Sequence, residues 1–309
     1  MRVAICIATY RRPAMLADLL RGVAALEMGE FATACVMVII VDNDIAGSAA
    51  ATIDAARFDV PFAISYAIET RRGIAHARNS AIATALAADA DVVAMIDDDE
   101  IPSADWLLQL LRTQAKFGAD AVYGPVVSRF AVPPPGWVTA GRFFERTHVP
   151  TGEMVRIGTT GNVLLTRRVL ERRHPPFDPR FGLTGGEDTL FFLELQSARV
   201  AVISCAEAVV VETVPATRTT IKYVLRRAYA AGASYVAAER CVAGGSEWTT
   251  RRTSIALTRI ASGMATACLL WPFGKHHFIR GLQTVSLGSG MLAGLRGVRF
   301  EHYLTAGDS

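Results

Sequence analysis

The run Asp97-Asp98-Asp99-Glu100 directly follows five apolar residues at 92–96. Carboxylates this close repel one another unless a cation lies among them, and hard divalent cations prefer oxygen ligands. The plainer interpretation is a helix N-terminus, where negative charge is favourable, because the residues that follow have a helical pattern. Two acids would satisfy a helix start, so the run of four favours a cation site.

A second acidic pair, Glu187-Asp188, follows two glycines and opens a predicted helix at 189–197. Taken alone, the pair is explained by the preference for acids at a helix N-terminus. Together with the first run, it fits a transfer reaction in which one carboxylate set holds a metal-bound diphosphate and another accepts a proton. Both acidic segments are therefore candidate functional groups.

The elements around the first acidic run alternate between strand and helix. Apolar runs predict buried strands, and amphipathic or Ala-rich segments predict the helices between them. Strands are predicted at 3–8, 36–41, 62–68, 92–96 and 121–127, and helices at 14–26, 49–57, up to about 89, and 105–117. This alternation predicts an α/β fold with a Rossmann-like, mostly parallel, doubly wound sheet flanked by helices.

Three of these strands end in polar residues that a parallel sheet would bring to one edge, a common nucleotide-binding position: Thr9, Asp42 and Asp97. Asp42 is either an acceptor for a base N–H or an ordinary turn acid. Neither a Gly-rich dinucleotide fingerprint nor a P-loop follows the first strand. This argues against nicotinamide, flavin and P-loop enzymes.

A predicted loop-to-helix junction carries Arg72, Arg78 and Asn79. Such a junction is well placed to contact phosphate, or uracil and ribose. The alternative is a solvated basic helix start.

The second half of the chain is less regular after the break at 132–136. It contains predicted strands at 158–166 and 200–211, followed by a helix at 219–240. We predict a domain at 1–215, with halves at 1–130 and 131–215. A helical region is predicted at 216–309.

Charge is unevenly distributed along the 309 residues. Residues 1–214 carry 20 Lys+Arg against 25 Asp+Glu, whereas residues 215–309 carry 12 against 4. The basic half predicts phosphate-rich or membrane-surface partners, and we expect no nucleic-acid partner. The 5 cysteines form no CxxC motif and are odd in number. With too few apolar residues at the N-terminus for a signal peptide, they predict reduced thiols in a cytoplasmic protein.

Six motifs occur in an order that resembles inverting family 2 glycosyltransferases with the GT-A fold, over about residues 1–215. They are a strand with Thr-Tyr-x-Arg (5–13), a strand with Asp-Asn (38–43), Gly…Ala-Arg-Asn (72–80), the acidic element (95–102), Gly-Asn…Arg (161–168) and Gly-Glu-Asp (186–191). Residues 212–216 and the basic helix after them are similar to bacterial exopolysaccharide glycosyltransferases that act on lipid-linked saccharides. Many relatives have a histidine where this chain has Glu212, which puts a metal-ligand role there in doubt. The absence of Gln-x-x-Arg-Trp argues against a processive synthase.

The resemblance implies a hexosyltransferase that uses a nucleotide sugar, and we expect a UDP-sugar. Asp97 and Asp99 would bind Mn²⁺ or Mg²⁺ across the diphosphate. Asp188 would be the general base and Glu187 would orient the acceptor or the base, so that an α-linked donor gives a β-glycoside. The residues implied in binding the nucleotide sugar are Thr9, Tyr10, Arg12, Asp42, Arg72, Arg78, Asn79, Asp97 and Asp98. The implied acceptor is a saccharide or a polyprenyl-linked saccharide. Two alternatives stay open, a nucleotidyltransferase and a non-catalytic carbohydrate-binding or scaffold protein.

Two weakly hydrophobic segments, at about 253–273 and 276–298, are interrupted by Arg259 and Arg280. Neither has the roughly 20 unbroken apolar residues of a simple span, and an arginine at a bilayer centre is costly. They predict a basic helical platform, or a shallow hairpin, at the inner face of the cell membrane. The spacing Gly290-x-x-x-Gly294 would let two such helices approach closely. The alternative is a helical subdomain that packs its apolar faces on the sheet.

Overall fold

The computed structural model describes residues 1–146, 148–155 and 158–298. These residues form two compact units, each built from several chain segments. The first unit comprises Met1–Val127, Arg146–Leu183 and Glu194–Glu212. The second comprises Ser128–Glu145, Thr184–Leu193 and the described residues from Thr213 onward. The predicted domain boundaries at 130 and 215 remain predictions.

The described strands are β1 (Arg2–Thr9), β2 (Cys35–Asp42), β3 (Ala63–Ile68), β4 (Val92–Ile96), β5 (Glu100–Pro102), β6 (Ala121–Tyr123), β7 (Val126–Phe130), β8 (Asn162–Thr166), β9 (Val202–Ser204) and β10 (Val210–Val214). The described helices are α1 (Pro13–Ala24), α2 (Ala50–Ala56), α3 (Ile74–Ala87), α4 (Trp106–Phe117), α5 (Gly136–Ala140), α6 (Arg167–Leu170), α7 (Glu187–Ser197), α8 (Ile221–Ala243), α9 (Ser246–Leu270) and α10 (Lys275–Leu295).

A seven-stranded sheet in the order β3-β2-β1-β4-β8-β6-β9 forms the centre of the first unit. Strands β1 to β4 pair in parallel, β8 is antiparallel to both β4 and β6, and β6 and β9 are parallel. The mostly parallel α/β sheet is therefore confirmed.

Buried apolar side chains hold this sheet between helices on both faces. All five residues of β4 are buried, as expected for a strand covered on both sides. Alternate residues of β1, including Ile5 and Ile7, pack in one core with Leu16 and Leu20 of α1. Helix α3 packs on β1 and β2. Its small buried residues, such as Ala81, allow a close approach to the sheet.

Two predicted strands are each divided in the structure. The segment predicted at 121–127 breaks at Gly124-Pro125 into β6 and β7, which lie in different sheets. Proline has no N–H for a continuous ladder, and a Cβ at Gly124 would lie 2.4 Å from the Asn162 side-chain nitrogen. The segment predicted at 200–211 likewise divides into β9 and β10. A three-stranded sheet has the order β5-β10-β7.

In the second unit, α10 packs closely against both α8 and α9. A Cβ at Gly294 would lie 2.6 Å from the Ala233 carbonyl oxygen of α8, and one at Gly281 would lie 2.6 Å from the Gly263 carbonyl oxygen of α9. Only glycine permits such backbone approaches. The glycine pair at 290 and 294, predicted to let the two hydrophobic segments approach each other, lies against α8 instead, so the predicted partner is wrong.

Within the described ranges, one helical segment, Ser246–Phe273, is long and apolar enough by composition to cross a membrane. Only 17% of its most apolar window is buried. The sequence pattern predicts no simple span here, because Arg259 interrupts the apolar run.

Candidate active site

The register of the parallel strands brings three polar strand ends to one edge of the sheet. Thr9 lies opposite Asp42 in the β1–β2 pair, and Cys6 lies opposite Met95 in the β1–β4 pair. Asp97 therefore emerges beside the end of β1. The predicted convergence of these three strand ends is confirmed.

Asp98 is one of two buried members of the acidic run, together with Glu100. Its carboxylate accepts hydrogen bonds from Thr9 Oγ1 at 2.9 Å and from Arg12 Nη1 at 2.9 Å. Burial raises the pKa of Asp98 to about 6, with a further contribution from Asp99, although Arg12 acts in the opposite direction. Asp98 thus fixes the loop after β1 against the acidic run.

Two arginines neutralise part of the charge of this cluster. Arg12 Nη1 also lies 3.3 Å from Asp99 Oδ2, so one guanidinium joins two carboxylates. Arg78 Nη2 donates to Asp97 Oδ1 at 2.7 Å. The Arg78 side chain is buried, whereas that of Asp97 is 38% exposed. Asp97 therefore has access to a ligand while it stays anchored.

Glu100, the last residue of the run, holds the backbone of Asp97 in place. Its Oε2 accepts from the Asp97 backbone N–H at 3.1 Å, and burial together with the charges of Asp97 and Asp99 raises its pKa well above the ordinary value. Gly161 closes this corner, because a Cβ there would lie 2.6 Å from Glu100 Oε1 and 3.1 Å from Asp97 Oδ2. The sequence analysis did not predict the supporting role of Glu100. Its position as an acid at the start of the short strand β5 could have indicated that role.

Glu212, the residue whose metal-ligand role was in doubt, lies opposite Glu100 in the β5–β10 ladder. Its Oε2 accepts from Arg146 Nη2 at 2.9 Å. The structure thus shows this carboxylate in an ion pair with an arginine.

Asp42 is fully buried and holds the loop that follows β2. Its oxygens accept from the backbone N–H groups of Asp44 at 2.9 Å and Ala49 at 2.8 Å, and from Tyr66 Oη at 3.2 Å. The geometry thus matches the turn-acid alternative. A hydrogen bond from a base N–H to Asp42 stays a prediction.

Asn79 also makes structural hydrogen bonds. Its amide donates to the Phe177 carbonyl at 2.7 Å and accepts from the Phe177 N–H at 2.9 Å. Both ends of the amide are therefore engaged by the protein, and its predicted nucleotide contact stays a prediction. Arg72, in contrast, lies over the Tyr10 ring at 5.3 Å, with Arg72 exposed and Tyr10 partly exposed. These two side chains remain candidates for nucleotide binding.

Asn162 is a buried hub that the sequence did not reveal beyond its motif. Its Oδ1 accepts from Trp106 Nε1 at 2.8 Å, and its Nδ2 donates to the carbonyls of Pro125 at 2.9 Å and Ala208 at 2.7 Å. It thereby holds the glycine at 161 beside the acidic run.

The second acidic pair lies in the second unit, at the start of α7. Gly185 and Gly186 precede it with φ values of 72° and 100°, which favour glycine. Glu187 is buried. Asp188 Oδ1 accepts from the Thr189 backbone N–H at 2.6 Å. The helix N-terminus favours an ionised carboxylate at this position.

The donor set around Asp97 and Asp99 fits a divalent cation. Both offer hard carboxylate oxygens, and two guanidinium groups face four acids. In the part of the chain that the structure describes, no three His, Cys, Asp or Glu side chains are grouped to enclose a metal. Mg²⁺ and similar ions are commonly held by one or two carboxylates and by substrate phosphates, so two protein ligands suffice.

Comparison with known proteins gives matches over nearly the whole chain. The glycosyl transferase family 2 model matches residues 4–173. The succinoglycan biosynthesis protein ExoM of Rhizobium meliloti (strain 1021) is 34% identical over 306 residues, 98% of this chain and 96% of that protein.

Solved structures of S. aureus TarS 1-349 share the fold. The complex with UDP has a TM-score of 0.53 at 13% identity and covers 96% of this chain and 92% of that one. The complex with UDP-GlcNAc has a TM-score of 0.52 at 12% identity and covers 99% and 95%. The predicted GT-A fold is confirmed. The family model and the ExoM relative together show that this chain belongs to glycosyl transferase family 2 and is a glycosyltransferase.

Proposed function

We propose that the protein is a non-processive, inverting glycosyltransferase that moves a hexosyl group from a UDP-sugar to a lipid-linked saccharide in polysaccharide synthesis. The observation that carries this proposal is the partly neutralised acidic cluster, where Thr9, Arg12 and Arg78 meet the acids at 97–100 at the carboxyl edge of the sheet. The similarity to a succinoglycan biosynthesis protein and to a fold solved with UDP supports the substrate class.

The diphosphate of the donor would lie at this cluster. Arg12 and Arg78 fix Asp98 and Asp97 before any substrate arrives, so the carboxylates need little reorganisation when the donor binds. The partly exposed Tyr10 ring and the exposed Arg72 guanidinium offer a surface for the nucleoside. Asp42 and Asn79 would act indirectly, by holding the loops that carry these groups.

Family 2 enzymes commonly use divalent metals. Asp97 and Asp99 would hold Mn²⁺ or Mg²⁺, which when bound stabilises the negative charge on the departing diphosphate. Arg12 contributes positive charge beside this predicted metal position, because it contacts Asp99 directly. The protein's own residues thereby bind and orient the leaving group.

Asp188 would take the proton from the acceptor hydroxyl as the oxygen attacks the anomeric carbon and the carbon–diphosphate bond breaks. The helix N-terminus and the Thr189 N–H favour its ionised form, which is the form that can accept a proton. Glu187, buried next to it, would orient the acceptor or the base. A single displacement inverts the anomeric centre, so an α-linked donor gives a β-glycoside.

The acceptor would be a polyprenyl-linked saccharide at the cytoplasmic face of the membrane. The excess of basic residues after position 214 favours an anionic surface as the working location. The alternatives, a nucleotidyltransferase and a non-catalytic binding or scaffold protein, are not favoured by the family match.

Asp188→Asn tests the proposed chemistry. The amide keeps the size of the side chain but cannot accept the proton, so the transfer rate should fall about 10²- to 10⁴-fold. Donor binding, measured by calorimetry, should stay near that of the wild type. Asp54→Asn, an exposed acid in α2, is the matched control and should transfer normally. Normal turnover by Asp188→Asn would move the base role elsewhere, and loss of donor binding would make Asp188 a structural residue.

A further inference from the structure

The α9–α10 hairpin exposes a continuous apolar surface in the second unit. We call Leu269, Leu270, Trp271 and Phe273 the hairpin tip, because they lie at the turn between the two helices. Trp271 is 63% exposed and Phe273 is 74% exposed. Large aromatic side chains exposed this far at a tight turn are costly in water, which points to a partner.

The same surface continues along the outer face of α9, which we define by Leu257, Ala261, Met264 and Cys268. Their spacing of three or four residues places them on one side of the helix, and all four are exposed. On the opposite side, Gly263 packs against α10. One side of α9 is therefore occupied by α10, and the other is apolar and uncovered.

Three hydroxyl groups in the apolar half of α9 donate hydrogen bonds back to the helix backbone. Thr258 Oγ1 donates to the Ser254 carbonyl at 3.0 Å, Ser262 Oγ to the Arg259 carbonyl at 3.1 Å, and Thr266 Oγ1 to the Ser262 carbonyl at 2.9 Å. Removing water from these groups leaves no donor without an acceptor. The helix can therefore enter an apolar medium at little cost in lost hydrogen bonds.

The excess of basic residues in the hairpin indicates which kind of partner its apolar surface contacts. Residues 246–298 contain six Lys and Arg residues against a single acid, Glu247. Lys275, His276 and His277 immediately follow the tip. A basic rim beside exposed aromatic residues is complementary to an anionic lipid surface, where tryptophan prefers the headgroup level.

The position of these basic residues limits the depth of insertion. Lys275 is only two residues from Phe273, so a deeply buried tip would carry its ammonium group into hydrocarbon. The 15 residues at 260–274 contain no Asp, Glu, Lys or Arg, whereas Arg259 lies at their start. An orientation in the membrane plane lets Arg259 and Lys275 reach the headgroups while the apolar face contacts acyl chains.

We propose that the hairpin tip and the outer face of α9 insert in the plane of an anionic bilayer, to the depth of the headgroup region. This deepens the proposed membrane-surface location and rests on it, whereas its test does not require transfer activity. Ser234 Oγ of α8 bonds the Thr184 carbonyl, next to the glycines before Asp188, at 3.4 Å. Helices α8 to α10 and the predicted base thus belong to the same unit. This would bring a lipid-linked acceptor and the base to one surface.

Vesicle flotation with the purified full chain, without donor, tests the proposal. Phosphatidylglycerol-containing vesicles should bind the wild type, and pure phosphatidylcholine vesicles should bind it more weakly. The double variant Trp271→Ser/Phe273→Ser should bind about 10- to 100-fold more weakly, because both side chains lose apolar surface. Phe58→Ser, which removes a 92% exposed aromatic residue from the first unit, is the matched control and should bind like the wild type. Circular dichroism should show that all variants are folded.

Tryptophan fluorescence reports directly whether Trp271 enters the lipid. Brominated lipids should quench the wild-type tryptophan fluorescence more than that of Trp271→Phe, which keeps an aromatic residue and should still bind. Equal vesicle binding by the wild type and the double variant would overturn the proposal. So would a chain that binds no anionic vesicles but self-associates through Trp271. Resistance to extraction at alkaline pH would also overturn the in-plane orientation and indicate a span. With a detergent-solubilised acceptor, the double variant should release nucleotide at the wild-type rate. If the wild type binds vesicles but releases no nucleotide, the proposed reaction is refuted and the proposed membrane contact is not.

Discussion

A methyl group added at Gly161 would press directly on the acidic cluster. The new Cβ would lie 2.6 Å from Glu100 Oε1, whereas ordinary contact begins at 3.4 Å. One of the two groups must therefore move by about 0.8 Å. Glu100 has little room to retreat, because it is buried and its strand is paired with β10. The displacement should pass to Asp97, whose Oδ2 would lie 3.1 Å from the same methyl group and whose N–H bonds Glu100.

The expected result of Gly161→Ala is a large loss of activity with a modest loss of stability. A misplacement of about 1 Å in a reacting site can cost about 10²-fold in rate, so we expect the transfer rate to fall about 10- to 100-fold. Overpacking of a buried corner should cost about 1–3 kcal/mol of unfolding free energy. Nucleotide release from the donor measures the first effect, and denaturant unfolding measures the second.

Gly136→Ala is the matched control, because nothing lies within 4 Å of a Cβ at Gly136 and its φ is not positive. It should keep both activity and stability. If Gly161→Ala transfers sugar at the wild-type rate, the cluster at 97–100 does not need the geometry described above. If it loses stability and activity only in proportion to the unfolded fraction, the effect is one of folding.

Three further outcomes are expected. Asp99→Ala should abolish transfer, and EDTA should inhibit the wild type until Mn²⁺ or Mg²⁺ is added back; full turnover in EDTA would contradict the metal assignment. Asn162→Ala should lower the unfolding free energy by about 3 kcal/mol or more, since Trp106 Nε1 and two carbonyls lose their partner, and an unchanged Tm would contradict this. Arg180 lowers the pKa of Asp178 from 3.8 to about 2, so the Asp178 carboxylate should stabilise the fold above about pH 4 and lose this effect as the pH falls toward 2. Since Arg180 is largely exposed, Asp178→Asn should cost only about 1–2 kcal/mol at pH 7 and progressively less below pH 4; a cost independent of pH would contradict the ion pair.

The strands of the first half could be predicted because burial on both faces leaves a simple pattern. The run at 92–96 is apolar without interruption, and the structure buries all five residues. Strand register then follows from parallel pairing, which is why the meeting of Thr9, Asp42 and Asp97 could be foreseen. The sequence did not reveal that the apolar run at 121–127 serves two sheets, because periodicity gives strand character but not strand partners.

Asp42 and Asn79 show what the sequence could not predict about the site residues, namely the contacts they make within the protein. Both lie in motifs suited to nucleotide contact, yet the oxygens of one and the amide of the other are engaged by the protein's own backbone. The Asn79 hydrogen bonds join residues separated by 98 positions in the chain, whereas Asp42 accepts from nearby backbone N–H groups in a loop whose conformation the sequence pattern does not specify. In contrast, the ion pairs of Arg12 and Arg78 with the acidic run place two predicted binding residues at the candidate site, although their contact with a donor remains a prediction.

The most direct test of the central claim is the anomeric configuration of the product. The purified full chain would be incubated with Mn²⁺, a panel of UDP-sugars and a polyprenyl-linked saccharide acceptor, with UDP release and product NMR as readouts. We predict acceptor-dependent UDP release from one donor, a β-glycoside from an α-linked sugar, and loss of both in Asp188→Asn. A product that retains the α configuration, or no nucleotide release from any sugar nucleotide in the panel, would contradict the account.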